Sequence, residues 1–110
     1  METTKRFSLQ GIKEKEVYTI EVTAGTKVIC FVDENPSTGY QWSLMFFAQF
    51  FPEDVETWVE PIDELGEIGG LQIRFWSFTA KSSGNFELLS QRAWSSSPPN
   101  KEIKVSICLK

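Results

Sequence analysis

Cys30 and Cys108 are the side chains here best suited to covalent chemistry, and the sequence supplies nothing to activate them. It contains no histidine. That removes the Ser–His and Cys–His pairs of nucleophilic catalysis and leaves no ordinary acid–base partner near pH 7. It also denies zinc its commonest nitrogen ligand, and two thiols fall two ligands short of the usual four. Neither a metal nor any other cofactor is expected, and an enzyme is the least favoured reading. The two cysteines lie far apart, each within a strand-like run. Free buried thiols are the simplest expectation; a disulfide stays open, because spacing says nothing about their Cα separation.

The chemistry that remains is that of recognition. Asn35-Pro36-Ser37-Thr38-Gly39-Tyr40, with Trp42 just behind, reads as a rigid exposed turn. Pro36 fixes its own φ and pushes Asn35 into extended geometry, and Gly39 offers the positive φ of a tight reversal. Ser37 and Thr38 can brace the turn through hydrogen bonds to its backbone. Read alone, the segment is as well explained by an ordinary interstrand turn as by a binding loop. A glycine-rich link, Leu65-Gly66-Glu67-Ile68-Gly69-Gly70, leads into a strand-like run over 71–79. Arg92-Ala93-Trp94 ends another such run and is followed by the polar tract Ser95-Ser96-Ser97-Pro98-Pro99-Asn100.

These segments must be positioned by strands. Short alternating runs between turn signals predict an all-β sandwich over a single domain, residues 1–110. Phe7, Leu9 and Gly11 alternate with polar neighbours, as do Tyr18, Ile20 and Val22 before a turn at Ala24-Gly25-Thr26. Over 28–32 both faces are apolar, so that strand is expected to be buried on both sides. Trp42, Leu44 and Phe46 share a face, and Arg74 falls on the face of Trp76 and Phe78. The last run is the clearest, with Ile103, Val105, Ile107 and Leu109 alternating against Lys104, Ser106, Cys108 and Lys110. Trp42, Trp58 and Trp76 are assigned to the core or its edge. Lys13-Glu14-Lys15-Glu16 and Lys101-Glu102 read as solvated turns.

At 110 residues the chain is long enough for its own core, and 41% hydrophobic residues fit a folded protein. A net charge of −4 offers no basic stripe for phosphates, so nucleic acid is excluded as a partner. Residues 1–6 lack the apolar stretch of a secretory signal, and no run approaches transmembrane length, so no membrane partner is expected. The expectation is a cytoplasmic monomer if Met1 is the native start, and a vesicular or secreted one if a signal peptide has been removed.

In this order the three segments resemble the chagasin-type inhibitors of papain-like cysteine proteases. That family carries an Asn-Pro-x-Thr-Gly-[Tyr/Phe] loop, a Gly-x-Gly-Gly loop and an Arg-Pro-Trp loop. The resemblance implies an immunoglobulin-like antiparallel β-sandwich, with its binding loops clustered at one end. It also implies a reversible competitive inhibitor whose partners are proteases of the papain or cathepsin L type. Carried over to this chain, Asn35, Pro36, Ser37, Thr38, Gly39 and Tyr40 would sit nearest the catalytic cysteine of the target. Leu65, Gly66, Ile68, Gly69 and Gly70 would lie in the acyl-side subsites, with Leu65 or Ile68 in the apolar pocket. Trp94 would pack on an aromatic wall on the leaving-group side, and Arg92 would reach polar or acidic groups. The chain departs from the pattern at three places. Ser37 stands for a frequent threonine, Ala93 for the usual proline, and the glycine-rich segment holds one residue too many. Two rival readings share the core and differ only in the loops: an immunoglobulin-like interaction domain and a carbohydrate-binding sandwich. The latter needs a flat row of aromatics on one sheet face.

Overall fold

The computed structural model describes residues 3–11, 16–35, 39–46, 52–61, 71–92 and 101–110, with Phe46 and Arg92 described through their backbone alone. Eight strands account for most of them. They are β1 (Thr4–Ser8), β2 (Val17–Val22), β3 (Thr26–Glu34), β4 (Tyr40–Phe46), β5 (Glu56–Pro61), β6 (Gln72–Ala80), β7 (Gly84–Arg92) and β8 (Lys101–Leu109). They form two four-stranded sheets, one ordered β1-β3-β6-β5 and the other β2-β8-β7-β4. Pairing is antiparallel except where β1 meets β3 and β2 meets β8, which run parallel.

Alternation explains the packing. Val28, Cys30 and Val32 of β3 and Trp76, Phe78 and Ala80 of β6 face inward from the first sheet. Ile20 and Val22 of β2, Ile103, Val105 and Ile107 of β8, and Phe86 and Leu88 of β7 meet them from the second, with Trp42 of β4. Phe78 and Phe86 come edge to face across the sandwich, centroids 5.6 Å apart at 84°. That geometry suits the ring quadrupoles and ties the two sheets at the centre of the core. As the alternation predicts, β3 is largely buried on both faces. On its outer side Phe31 packs against Phe75, and Trp58 lies stacked on Phe75 at 5.1 Å and 4°. An aromatic row therefore does cross the outside of the first sheet, but its rings cover one another and Phe75 is buried.

Four details differ from the sequence reading. β1 ends at Ser8, and Gly11, at φ 82°, belongs to the turn that follows. Lys101 and Glu102 are the first residues of β8 rather than a turn, because Lys101 pairs with Ser90 and Glu102 with Leu89. β5 had no alternating apolar signature and exists because β6 presents an open edge to it. Cys108 is exposed, since it falls on the outward phase of β8, whereas Cys30 is buried; both are free thiols. Burial pushes the Cys30 thiol up to about 12, far from any thiolate at neutral pH. Native-state alkylation is therefore expected to label Cys108 quickly and spare Cys30, as read by intact-protein mass. Changing both to serine should lower stability by ~1–3 kcal/mol through the buried hydroxyl at position 30.

Candidate functional site: one end of the sandwich

Strand register decides where the three motif segments emerge. In the first sheet, Glu34 at the end of β3 pairs with Gln72 at the start of β6, and Gln72 pairs with Pro61 at the end of β5. In the second, Tyr40 at the start of β4 pairs with Arg92 at the end of β7, and Ser90 pairs with Lys101 at the start of β8. The chain passes from Glu34 to Tyr40 within five residues, so these strand ends share one end of the sandwich. Residues 35–39 connect the sheets there. Gln72, which follows the glycine-rich segment in the chain, lies beside Glu34, and Arg92, which opens the Arg-x-Trp segment, lies beside Tyr40.

Of the candidate residues, Asn35, Gly39 and Tyr40 are described, and Arg92 through its backbone. Gly39 has φ 81°, the left-handed conformation expected for the reversal into β4. Asn35 and Tyr40 are half-buried at the two feet of the loop. Pro36, Ser37, Thr38, Leu65, Gly66, Ile68, Gly69, Gly70 and Trp94 lie outside the described residues.

Beneath the loop is a polar cluster that the motif reading did not anticipate. Glu34 is only 5% exposed, on the inward face of β3. Its Oε2 accepts the backbone N–H of Trp42 at 2.8 Å and Arg74 Nε at 3.3 Å. Its Oε1 accepts Arg74 Nη2 at 2.9 Å and the Gln72 side-chain amide. Trp42 also donates its indole Nε1–H to the Asp33 carbonyl at 3.0 Å. A buried carboxylate is tolerated only when its lone pairs are filled this way. Continued past Val32, the two-residue alternation puts Glu34 on the inward face of β3, and in β6 it puts Arg74 with Trp76 and Phe78. That the two inward charges meet is a matter of register between β3 and β6, which no local pattern encodes.

Burial alone would raise the Glu34 carboxyl. The Arg74 hydrogen bonds, the Trp42 N–H, the Gln72 amide and the Arg74 charge together outweigh it and hold the group below its ordinary value of 4.5. A carboxylate depressed in the folded state contributes stability above its unfolded pKa, and that contribution is lost as pH falls through the folded value. The urea midpoint should therefore stay level from neutral pH to about pH 5 and fall below that. Glu34→Gln should begin less stable and show a shallower acid fall. Asp54, held low by the Thr79 hydroxyl and amide, contributes acid dependence of the same sign in both proteins.

A family model described as the chagasin family of peptidase inhibitors, I42, matches residues 11–107. The chain belongs to that family. Among solved structures, this chagasin-family chain is similar to the cysteine protease inhibitor EhICP2 from Entamoeba histolytica. The TM-score is 0.73 at 18% identity, covering 99% of this chain and 97% of that one. It is also similar to Amebosin, with TM-score 0.58 at 19% identity over 98% of each chain. A third similar structure is PbICP-C in complex with falcipain-2, with TM-score 0.57 at 17% identity over 96% of this chain and 99% of that one. A search of curated proteins found no match. At these identities the structural likeness shows a shared fold alone. The assignment to a family of peptidase inhibitors rests on the family model, which spans all three motif segments.

Proposed function

We propose that this chagasin-family protein is a reversible competitive inhibitor of papain-like cysteine proteases and performs no catalysis itself. The observation that carries the reading is the register at one end of the sandwich. It brings Glu34, which precedes the Asn-Pro segment, beside Gln72, which follows the glycine-rich segment, and Tyr40 beside Arg92, which opens the Arg-x-Trp segment. Such an edge suits a long cleft whose nucleophile, a thiolate beside an imidazolium, lies at its midpoint.

Inhibition of this kind needs no reactive group. The Asn-Pro segment crowds the catalytic centre through Ser37 and Thr38 and presents no peptide bond in attack geometry. Leu65 or Ile68 enters the apolar acyl-side subsite, while Trp94 rests on the far wall and Arg92 meets polar or acidic groups. Burying ~800 Å² per partner around an aromatic anchor supports tight binding when the loops are already ordered. EhICP2 is described as a cysteine protease inhibitor and PbICP-C as bound to falcipain-2, which supports the same use of the fold here.

The test is a titration of papain and a cathepsin L-type enzyme at nanomolar enzyme, with residual activity and the integrity of the inhibitor both followed. Competitive inhibition with the inhibitor recovered uncleaved is expected, and serine and metalloproteases should be untouched. Full papain activity at micromolar inhibitor would overturn the proposal.

A further inference from the structure

The Glu34 cluster touches the feet of two of these segments at once. Glu34 immediately precedes Asn35, and Trp42 follows Tyr40 by two residues, so the contacts Glu34–Trp42 N and Trp42 Nε1–Asp33 O close the Asn-Pro segment at its base from both sides. Gln72 and Arg74 lie at the start of β6, directly after the glycine-rich segment, and both grip the same carboxylate. A buried ion pair is a poor device for stability alone, because an apolar pair of similar volume holds as well or better. What it offers instead is direction: one carboxylate fixes four donors from two strands at defined angles.

We infer that Glu34 is a positioning residue that locks the strand ends on either side of the Asn-Pro segment, Glu34 and Tyr40–Trp42, to the start of β6 at Gln72 and Arg74, so that these strand ends are presented to the protease in one fixed spacing. This rests on the inhibitory reading above, although its first consequence is a property of the free protein. With the carboxylate in place, these strand ends move together. Without it, each samples its own positions, and only the fraction in the right spacing binds. Apparent association then falls by that fraction while the assembled complex dissociates much as before.

The test compares wild type with Glu34→Gln, which keeps shape but loses charge, and with Gln72→Leu, which keeps the Glu34–Arg74 pair and removes one link. Amide hydrogen exchange is followed on the free proteins, and papain association and dissociation rates are measured separately. In Glu34→Gln, exchange at 39–42 and 71–74 should quicken about tenfold or more while Val28 and Val105 keep their protection. The association rate should fall about tenfold, with dissociation changed by less than about threefold. Gln72→Leu should show the same pattern at smaller size, and Arg74→Lys should retain more of the association rate than Arg74→Met. The inference is overturned if loop exchange and association stay at wild-type values. It is equally overturned if protection falls uniformly across the core with association per folded molecule unchanged, which would make the cluster a stability element only. If wild type fails to inhibit papain, the functional reading falls, and the exchange data still decide whether Glu34 couples these strand ends.

Discussion

Trp94→Ala is expected to weaken papain inhibition about thirtyfold or more, equivalent to ~2 kcal/mol or above, while the melting temperature stays near that of wild type. The chain leaves β7 at Arg92, opposite Tyr40, so position 94 follows closely on the end of the sandwich that carries the Asn-Pro segment. The tract that follows, Ser95-Ser96-Ser97-Pro98-Pro99-Asn100, is polar and holds no residue that would draw it into a core. An aromatic anchor at such an edge buries a large rigid surface at small cost in side-chain freedom, which is why tryptophans dominate binding hot spots. The core already has its tryptophans in Trp42 and Trp76. The measurement is an inhibition constant corrected for folded fraction, alongside a thermal melt. A large drop in melting temperature with unchanged affinity would identify Trp94 as a packing residue and remove it from the binding surface.

The largest stability effect should come from the opposite side chain type, one that nothing outside the protein can touch. Phe78→Ala is expected to cost about 3–5 kcal/mol, read from urea midpoints at constant slope. Phe78 is fully buried, and its ring meets Phe86 edge to face across the two sheets, so truncation removes both transfer energy and the inter-sheet contact. Paired strands on both sides limit how far the site can collapse. A single domain of this size has ~5–15 kcal/mol in all, so the variant should be partly unfolded at body temperature. Its folded fraction should still inhibit as wild type does, because Phe78 lies away from the strand ends that carry the three segments. A loss below 1 kcal/mol would mean that neighbouring side chains fill the space.

Much of the sandwich could be read locally because burial in a strand has a period of two residues. Residues 103, 105 and 107 of β8 and 20 and 22 of β2 are buried as their spacing predicts. The turns at Gly25 and Gly39 have the positive φ their glycines suggest. Edge strand β5 escaped notice for the same reason in reverse. Most of Glu56–Pro61 is exposed, so no alternation marks it, and its existence depends on the open edge of β6. Cys108 shows how a single phase matters, since one step along β8 separates the buried Ile107 from the exposed thiol.

By itself the sequence determined the all-β class, the turn chemistry of the Asn-Pro segment, the absence of any histidine-based chemistry and the order of three recognition motifs. All of these are carried by residues near one another in the chain, where propensity and spacing act directly. Tertiary structure alone decided that β1 and β2 join their sheets in parallel, that the strand ends flanking the motif segments lie at one end of the sandwich, and that Glu34 meets Gln72 and Arg74. Glu34 and Arg74 stand forty positions apart, and what brings them together is the register of β3 on β6. That register is set by the summed packing of a whole strand face, since a slip of one residue would turn Val28, Cys30 and Val32 out of the core.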